Sequence, residues 1–179
     1  MKMKKESFRN SKSKLRVLGI DPGTATTGWA VLEETQGEIK PISFGHVSTS
    51  PKETPAERLR EISADLRNII KKYEPQEAAV EDIFFFKNLK TVINVSQSRG
   101  AILLTLKERG LRIAEYTPLQ VKQALTGYGR AEKKQMQLMV KNILNLKSIP
   151  KPDDTADALA IALCHIHSRK LKRIIDDNF

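Results

Sequence analysis

Cysteine is almost missing from this sequence, since Cys164 is the only one among its 179 residues. A single cysteine excludes an intramolecular disulfide and a cysteine-rich zinc site, and it is typical of proteins of a reducing cytoplasm. The sequence also lacks any run of about 18 apolar residues, and no apolar segment follows its basic N-terminus as in a signal peptide. We therefore expect neither membrane insertion nor export, and we predict a cytoplasmic protein.

The sequence has fewer acidic than basic residues. Asp and Glu number 21, whereas Lys and Arg number 31, which gives a formal net charge of +10. The positive excess is concentrated in residues 1–16 and in residues 122–141. Two separate basic patches favour an extended polyanion as the partner, although a role in solubility alone would also account for the charge.

The order of hydrophobic patterns predicts one α/β domain over residues 15–170, between a basic, disordered arm (residues 1–14) and a C-terminal tail (residues 171–179). Apolar, β-branched segments indicate strands at residues 15–20, 28–32, 39–47, 78–80 and 111–116. Helical periodicity indicates helices at about residues 54–73, 92–108, 119–125, 132–146 and 153–170. Three antiparallel strands, followed by alternating strands and helices, predict a mixed five-stranded sheet flanked by helices.

Two acidic residues directly follow predicted strands. Asp21 comes after the first strand, and Glu81 comes after the short strand at residues 78–80. The carboxyl ends of strands are a common place for active sites in α/β sheets. Asp21 could equally be an ordinary turn residue, and Asp82 could be the important acid instead of Glu81. We favour Glu81 because it continues the line of the strand.

Two more acidic residues belong to the last predicted helix. Asp154 and Asp157 are three positions apart, which places their Cβ atoms roughly 5–6 Å apart on one face. Asp154, like Asp153, could simply complement the dipole at the start of the helix. That explanation is weaker for Asp157, because residues 158–164 are apolar nearly all round and the helix is therefore buried. A carboxylate at the edge of a buried face needs a compensating charge.

The four carboxylates together predict a divalent metal site. Without Cys or His in the set, the ligands are hard oxygens, which suit Mg²⁺, or Mn²⁺ as a substitute. Two such ions about 3.5–4 Å apart can activate a water and stabilise the leaving oxygen of a phosphodiester. We therefore expect a metal-dependent nuclease with two ions in its active site, held by Asp21, Glu81, Asp154 and Asp157.

The same residues lie in segments that resemble the three acidic motifs of the RuvC family of Holliday junction resolvases. The segments are Leu18-Gly19-Ile20-Asp21-Pro22-Gly23-Thr24, Ala79-Val80-Glu81-Asp82-Ile83-Phe84 and Asp154-Thr155-Ala156-Asp157-Ala158-Leu159-Ala160. The stretch from Val121 to Lys133 is also similar, and the resemblance runs from about Leu15 to His167. It implies a ribonuclease H-like fold and a homodimer that uses Mg²⁺ to cut two symmetric strands of a four-way DNA junction. It also implies the branch-migration proteins RuvA and RuvB as partners.

The resemblance assigns further side chains to the DNA. Lys122 and Lys133 match basic family positions near the scissile phosphate, and we count them among the catalytic residues. Phe84 matches an aromatic residue that stacks on a base at the junction centre, although Phe85 or Phe86 could be the exposed one. In the same basic stretch as the lysines, Arg130 and Lys134 are additional candidates for DNA contacts.

Other functions are compatible with parts of this pattern. The segment Gly19 to Thr24 also resembles the first phosphate loop of actin-like ATPases and sugar kinases. Those proteins need a second, similar domain, which we do not expect in a chain of this length. A ribonuclease H-like nuclease acting on RNA, or a junction-binding module without catalysis, is a nearer alternative.

The predicted helices carry two further features. We expect His165 and His167 to lie at the surface or at the helix end, because they are too far from Asp157 to contact its metal. Dimerisation rests on the resemblance, and small or polar residues of the second helix would permit close helix contact: Asn94, Ser96, Ser98, Gly100 and Ala101.

Overall fold

The computed structural model describes residues 14–82 and 89–176. The chain begins with three long strands, β1 (Lys14–Asp21), β2 (Thr26–Thr35) and β3 (Glu38–Ser48). The hairpin between β2 and β3 turns at Gln36 and Gly37, which have φ values of 54° and 90°. Positive φ at both central residues is the mark of a tight hairpin turn whose twist matches that of the strands. The predicted antiparallel meander is therefore confirmed.

Helices and shorter strands alternate as far as β5, and three helices follow, in the predicted order. They are α1 (Pro55–Tyr73), β4 (Glu77–Glu81), α2 (Leu89–Glu108), β5 (Arg112–Tyr116), α3 (Pro118–Thr126), α4 (Lys133–Ile143) and α5 (Asp153–Asp176). The sheet has the order β3-β2-β1-β4-β5, and both the β1–β4 and the β4–β5 pairs are parallel. This is the mixed five-stranded sheet that the sequence predicted. Helix α5 continues past its expected end near Lys170, into the segment predicted as a tail.

Local sequence signals fix where the first helix begins and the second ends. Thr54 caps α1, since its hydroxyl accepts from the backbone N–H of Glu57 and the Glu57 carboxylate accepts from the backbone N–H of Thr54. Pro55 follows at the first helical position, where its missing N–H costs nothing. Gly110, just after α2, has a φ of 76°, a left-handed conformation that glycine adopts without strain.

The sheet separates two apolar cores. On one face, α1 and α2 cover Leu18 and Ile20 of β1 together with Val80 of β4. On the other face, α5 covers Val17 and Ala79, with α3 and α4 packed outside it. Among the described residues, no helix is long and apolar enough to cross a membrane.

Helix α5 lies unusually close to the sheet. A Cβ added to Gly19 of β1 would come within 2.2 Å of the carbonyl oxygen of Ala158 and 2.8 Å of the Cβ of Ala162. A Cβ added to Gly28 of β2 would come within 2.0 Å of the carbonyl oxygen of Asp154. Glycines at these two positions let the first turns of α5 rest directly on the strands, and they set the height of its acidic residues above the sheet.

Candidate active site

The alternation of side chains along a strand directs Asp21 and Glu81 to the same face of the sheet. Asp21 follows Val17 and Gly19 at intervals of two, and both of those residues face α5. Glu81 has the same relation to Ala79, which also packs on the α5 side. Because β1 and β4 are parallel neighbours paired through Ile20 and Val80, the next residues of each strand lie side by side. The sheet thus brings two carboxylates from distant parts of the sequence together.

Asp82 lies one position further along and therefore belongs to the opposite side of the sheet. Its carboxylate pairs with the Arg99 guanidinium of α2 at 3.0 Å, and Arg99 also pairs with Glu115 of β5. The same guanidinium donates to the backbone oxygen of Glu81 at 3.2 Å. Arg99 therefore holds the carboxyl end of β4, and the preference for Glu81 over Asp82 has a geometric basis.

The N-terminal turns of α5 supply the other carboxylates. Asp154 stands where the helix backbone meets Gly28, and Asp157 follows one turn later. Both Asp154 and Asp157 act electrostatically on Asp21, and Asp157 acts on Glu81. The structure thus brings together all four acids that the sequence singled out.

Burial and, after it, the crowding of like charges shift the pKa values of these carboxylates. Burial and then the charges of Glu81, Asp157 and Asp154 raise the pKa of Asp21 to about 8. Burial and the charge of Asp157 likewise raise the pKa of Glu81 to about 7. Burial also raises the pKa of Asp157, and the neighbouring Lys133 offsets part of that effect. The site therefore carries more negative charge than its own residues neutralise.

Two lysines border the acids on one flank. A cavity of about 220 Å³ is lined by Glu81, Asp157, Lys122 and Lys133, with apolar residues at its base. The Lys133 amine lies 3.3 Å from the carboxylate of Asp157 and 3.3 Å from that of Asp153. Although burial works against the charged amine, these carboxylates raise the pKa of Lys133, so it stays a cation. Its charge also acts on Asp21 and Glu81.

Asp153 has a supporting role that the sequence did not reveal. Its carboxylate accepts from the buried amide of Gln137 at 3.0 Å and from the Lys151 amine at 3.1 Å, in addition to pairing with Lys133. The residue predicted only as a helix-end acid therefore anchors α4 to α5. Through Lys133, it fixes a cation at the edge of the acid cluster.

The donor set of this cluster fits a hard divalent cation. All four candidate ligands are carboxylates, and burial together with the neighbouring carboxylates raises the pKa of Asp21 and Glu81, an environment that a bound cation would relieve. Within the described part of the chain, no three ligating side chains stand in the geometry of a formed metal site. To share an ion, the four carboxylates would have to turn towards one another.

The remaining predicted residues have different outcomes. Arg130 and Lys134 are exposed, and neither lines the cavity of Lys122 and Lys133. Phe84, with the two phenylalanines after it, lies outside the described residues, as do residues 1–13 of the basic arm. Their roles stay predictions.

The expectation for His165 was wrong. Its ring is buried, with Nε2 at 2.8 Å from the Glu77 carboxylate and Nδ1 at 2.9 Å from the hydroxyl of Tyr116. Arg169 also pairs with Glu77 at 3.1 Å. This network ties α5 to β4 and β5 below the acid cluster. Cys164, the residue before His165, is also buried.

The fold and the clustered carboxylates define a nuclease of the ribonuclease H-like class. Residues 17–165 match the family described as crossover junction endodeoxyribonuclease RuvC. The chain belongs to the RuvC family. The RuvC of Syntrophomonas wolfei is 51% identical over 164 residues, which cover 92% of this chain and 95% of that one.

Solved structures agree with this assignment. The structure of Thermus thermophilus RuvC matches with a TM-score of 0.82 and 38% identity, covering 88% of this chain and 97% of that one. Thermus thermophilus RuvC in complex with a Holliday junction substrate matches with a TM-score of 0.80 and 35% identity, covering 88% and 96%.

Proposed function

We propose that this protein is a Mg²⁺-dependent endonuclease that resolves four-way DNA junctions by cutting two symmetric strands, in recombination and DNA repair. The observation that carries the proposal is the cluster of four carboxylates beside Lys122 and Lys133, in a chain of the RuvC family. A relative with a closely similar fold has been captured on a Holliday junction substrate, which supports the same substrate here.

Asp21, Glu81, Asp154 and Asp157 are the side chains that would hold the metal, and two ions fit a set of this size. When bound, divalent cations would polarise the phosphodiester and lower the pKa of an attacking water. Mn²⁺ would serve as a substitute because it accepts the same oxygen ligands. No covalent nucleophile is needed from the protein.

The lysines act on the substrate rather than on the metal. Lys133, held by Asp153 and Asp157, presents a fixed cation where negative charge develops on the transferring phosphoryl group. Lys122 lines the same cavity and acts on Glu81. Because a lysine in an ion pair has lost much of its freedom, Lys133 binds the phosphate with a small further loss of entropy. The exposed Arg130 and Lys134 would add contacts to more distant phosphates.

Two symmetric cuts require two active sites, and the outer face of α2 is a suitable dimer contact. Ile93 and Leu104 project from it with 56% and 60% of their surfaces exposed, and a Cβ on Gly100 between them would meet nothing. Such apolar residues on an open helix face favour burial against a second copy of α2. Ser98, which the sequence placed on this face, is instead buried and bonds to Thr24.

The setting of the reaction follows from the family. A nuclease for chromosomal junctions acts where bacterial DNA lies, which is the cytoplasm. RuvA and RuvB are the partners that the resemblance implies. Phe84, three positions after Glu81 in the sequence, would stack on a base at the junction centre, and the basic arm would add nonspecific affinity for DNA.

A comparison of three substrates tests this function. Purified protein is incubated with Mg²⁺ and a labelled four-way DNA junction, a linear DNA duplex or an RNA–DNA hybrid. We expect paired nicks at symmetric positions in the junction and none in the other two. Preferential cutting of the hybrid would instead indicate a nuclease for RNA. Binding of the junction without cutting in Mg²⁺ or Mn²⁺ would indicate a binding module.

A further inference from the structure

A second cavity borders the acid cluster at Asp154 and is lined by neither of the two lysines. Its volume is about 390 Å³, and its wall includes Asp154, the loop from Gly23 to Thr26, the side of α2 near Asn94, and Arg58 of α1. Neither Lys122 nor Lys133 lines it, and Arg58 does not line the lysine cavity. Glu81 and Asp157 line the cavity of the two lysines, and Asp154 lines that of Arg58.

Arg58 is held in place by a chain of hydrogen bonds. Its Nε donates to the hydroxyl of Thr49 at 2.8 Å, and that hydroxyl donates to the backbone oxygen of Thr24 at 2.7 Å. The Thr24 hydroxyl in turn bonds to the backbone oxygen of Asn94 at 2.9 Å and to the hydroxyl of Ser98 at 2.7 Å. Arg58 is therefore fastened to the loop that follows Asp21.

The contact with Thr49 uses Nε, and the two terminal nitrogens of the guanidinium form no hydrogen bond to the residues that the structure describes. In the residues that the structure describes, Arg58 forms no ion pair, whereas Arg16, Arg67, Arg99 and Arg169 all do. An unpaired guanidinium fixed beside a cavity suits an anion, and its planar donors match two phosphate oxygens. It is poorly placed to assist a metal, whose charge it repels.

A nucleic acid strand bound over the acids supplies such an anion to the cavity that Arg58 shares with Asp154. Each strand carries a phosphate about every 3.4 Å along the helix axis, so a strand with one phosphate over the carboxylates extends neighbouring phosphates to both sides. Lys122 and Lys133 would meet the strand beside Glu81 and Asp157, and Arg58 would meet it beside Asp154.

We propose that Arg58 binds a backbone phosphate adjacent to the scissile one and so fixes the register of the strand over the metal site. The inference rests on the proposed function, because it takes junction DNA as the substrate. Arg58 is a positioning residue: it touches the substrate away from the reacting atoms. The Thr49 tether makes this contact preorganised, since the guanidinium is oriented before the DNA arrives.

The test uses junctions in which one phosphate at a time, on either side of the cleavage site, is replaced by a neutral methylphosphonate. Binding is measured in EDTA so that no strand is cut, with the wild type, Arg58→Met and Arg60→Met. Arg60 is an exposed arginine two positions along the same helix and serves as the matched control. We expect one substituted phosphate to weaken binding by the wild type and by Arg60→Met on the order of tenfold. The same substitution should not weaken binding by Arg58→Met.

Salt dependence gives a second readout that a purely structural role would not move. Arg58→Met should reduce the slope of log K against log salt by about 0.9 for each Arg58 that contacts DNA. Arg58→Lys should restore the wild-type slope, because the slope depends on the number of phosphates that cationic side chains neutralise. Thr49→Val removes the tether but keeps the charge, so its slope should equal that of the wild type.

The inference is overturned if every methylphosphonate weakens junction binding by Arg58→Met as much as it weakens binding by the wild type. It is also overturned if the wild type shows no sensitive phosphate beyond those facing the lysines, a result that needs no variant to fold. Failure of the wild type to cut the unmodified junction in Mg²⁺ would be a different result. It would overturn the proposed function, and this inference with it.

Discussion

Asp21→Asn is expected to stabilise the metal-free protein while destroying its active site. The folded protein keeps a proton on Asp21 up to a pH near 8, whereas the unfolded chain releases it near 3.8. Because the folded state binds more protons across this window, wild-type stability falls as the pH rises from about 4 to about 8. Asparagine at position 21 carries no charge that must be buried beside the other carboxylates. The variant therefore does not lose this part of its stability as the pH rises.

The magnitude follows from the shift in pKa. The rise from 3.8 to about 8 corresponds to at most about 6 kcal/mol, at 1.36 kcal/mol for each pKa unit. Glu81 shares the same repulsion, and water and side-chain movement relieve part of it. We therefore expect a gain of about 2 kcal/mol above pH 8, or roughly 4–8 °C in Tm for a domain of this size.

Thermal unfolding in EDTA at several pH values measures the effect. The Tm of Asp21→Asn should exceed that of the wild type at pH 8.5, and the difference should shrink towards pH 4. Glu38→Gln, an exposed carboxylate of β3, is the control and should show no such trend. Mg²⁺ at a hundredfold excess over Kd should stabilise the wild type by about 2.7 kcal/mol, and it should raise the Tm of the wild type more than that of Asp21→Asn. A Tm difference independent of pH would refute the proposed crowding of charge.

Three further substitutions test separate parts of the account. Asp157→Asn should abolish junction cleavage in a gel assay and preserve junction binding, so substantial residual cutting would mean that the metal site is misplaced. Lys133→Met should lower kcat by about 10²-fold, since it removes one preorganised cation from the reacting phosphate; an unchanged kcat would leave Lys133 as a structural partner of Asp153. Gly19→Ala should cost about 1–3 kcal/mol in denaturant unfolding, because its Cβ would overlap the carbonyl oxygen of Ala158. A stability equal to that of the wild type would show that α5 can lift from the sheet.

Much of the fold could be predicted because its signals are local. The apolar segments gave the order of the strands and helices. The capping threonine of α1 and the glycine after α2 placed the start of one helix and the end of the other within a few residues. The proximity of Asp21 and Glu81 also has a local basis. Each residue comes at the carboxyl end of a strand, where side chains alternate between the two faces of the sheet, and parallel strands bring their carboxyl ends to one edge.

The parts that the sequence missed depend on contacts between distant segments. His165 looked like a helix-end residue, but its partner Glu77 lies 88 positions earlier in the chain. Arg58 had no sequence signal, because an arginine on an amphipathic helix is usually solvated. Its importance depends on Thr49 and on a cavity shared with Asp154, which only the assembled fold creates.

Cutting of a supercoiled plasmid with an extruded cruciform tests the central claim most directly. The cruciform is a four-way junction, and two symmetric cuts across it convert the circle to a linear molecule, whereas a single cut leaves a nicked circle. We predict Mg²⁺-dependent linear product from the wild type and none from Asp157→Asn. Accumulation of nicked circles alone, or linear product that persists in EDTA, would contradict paired cutting by a metal site of four carboxylates.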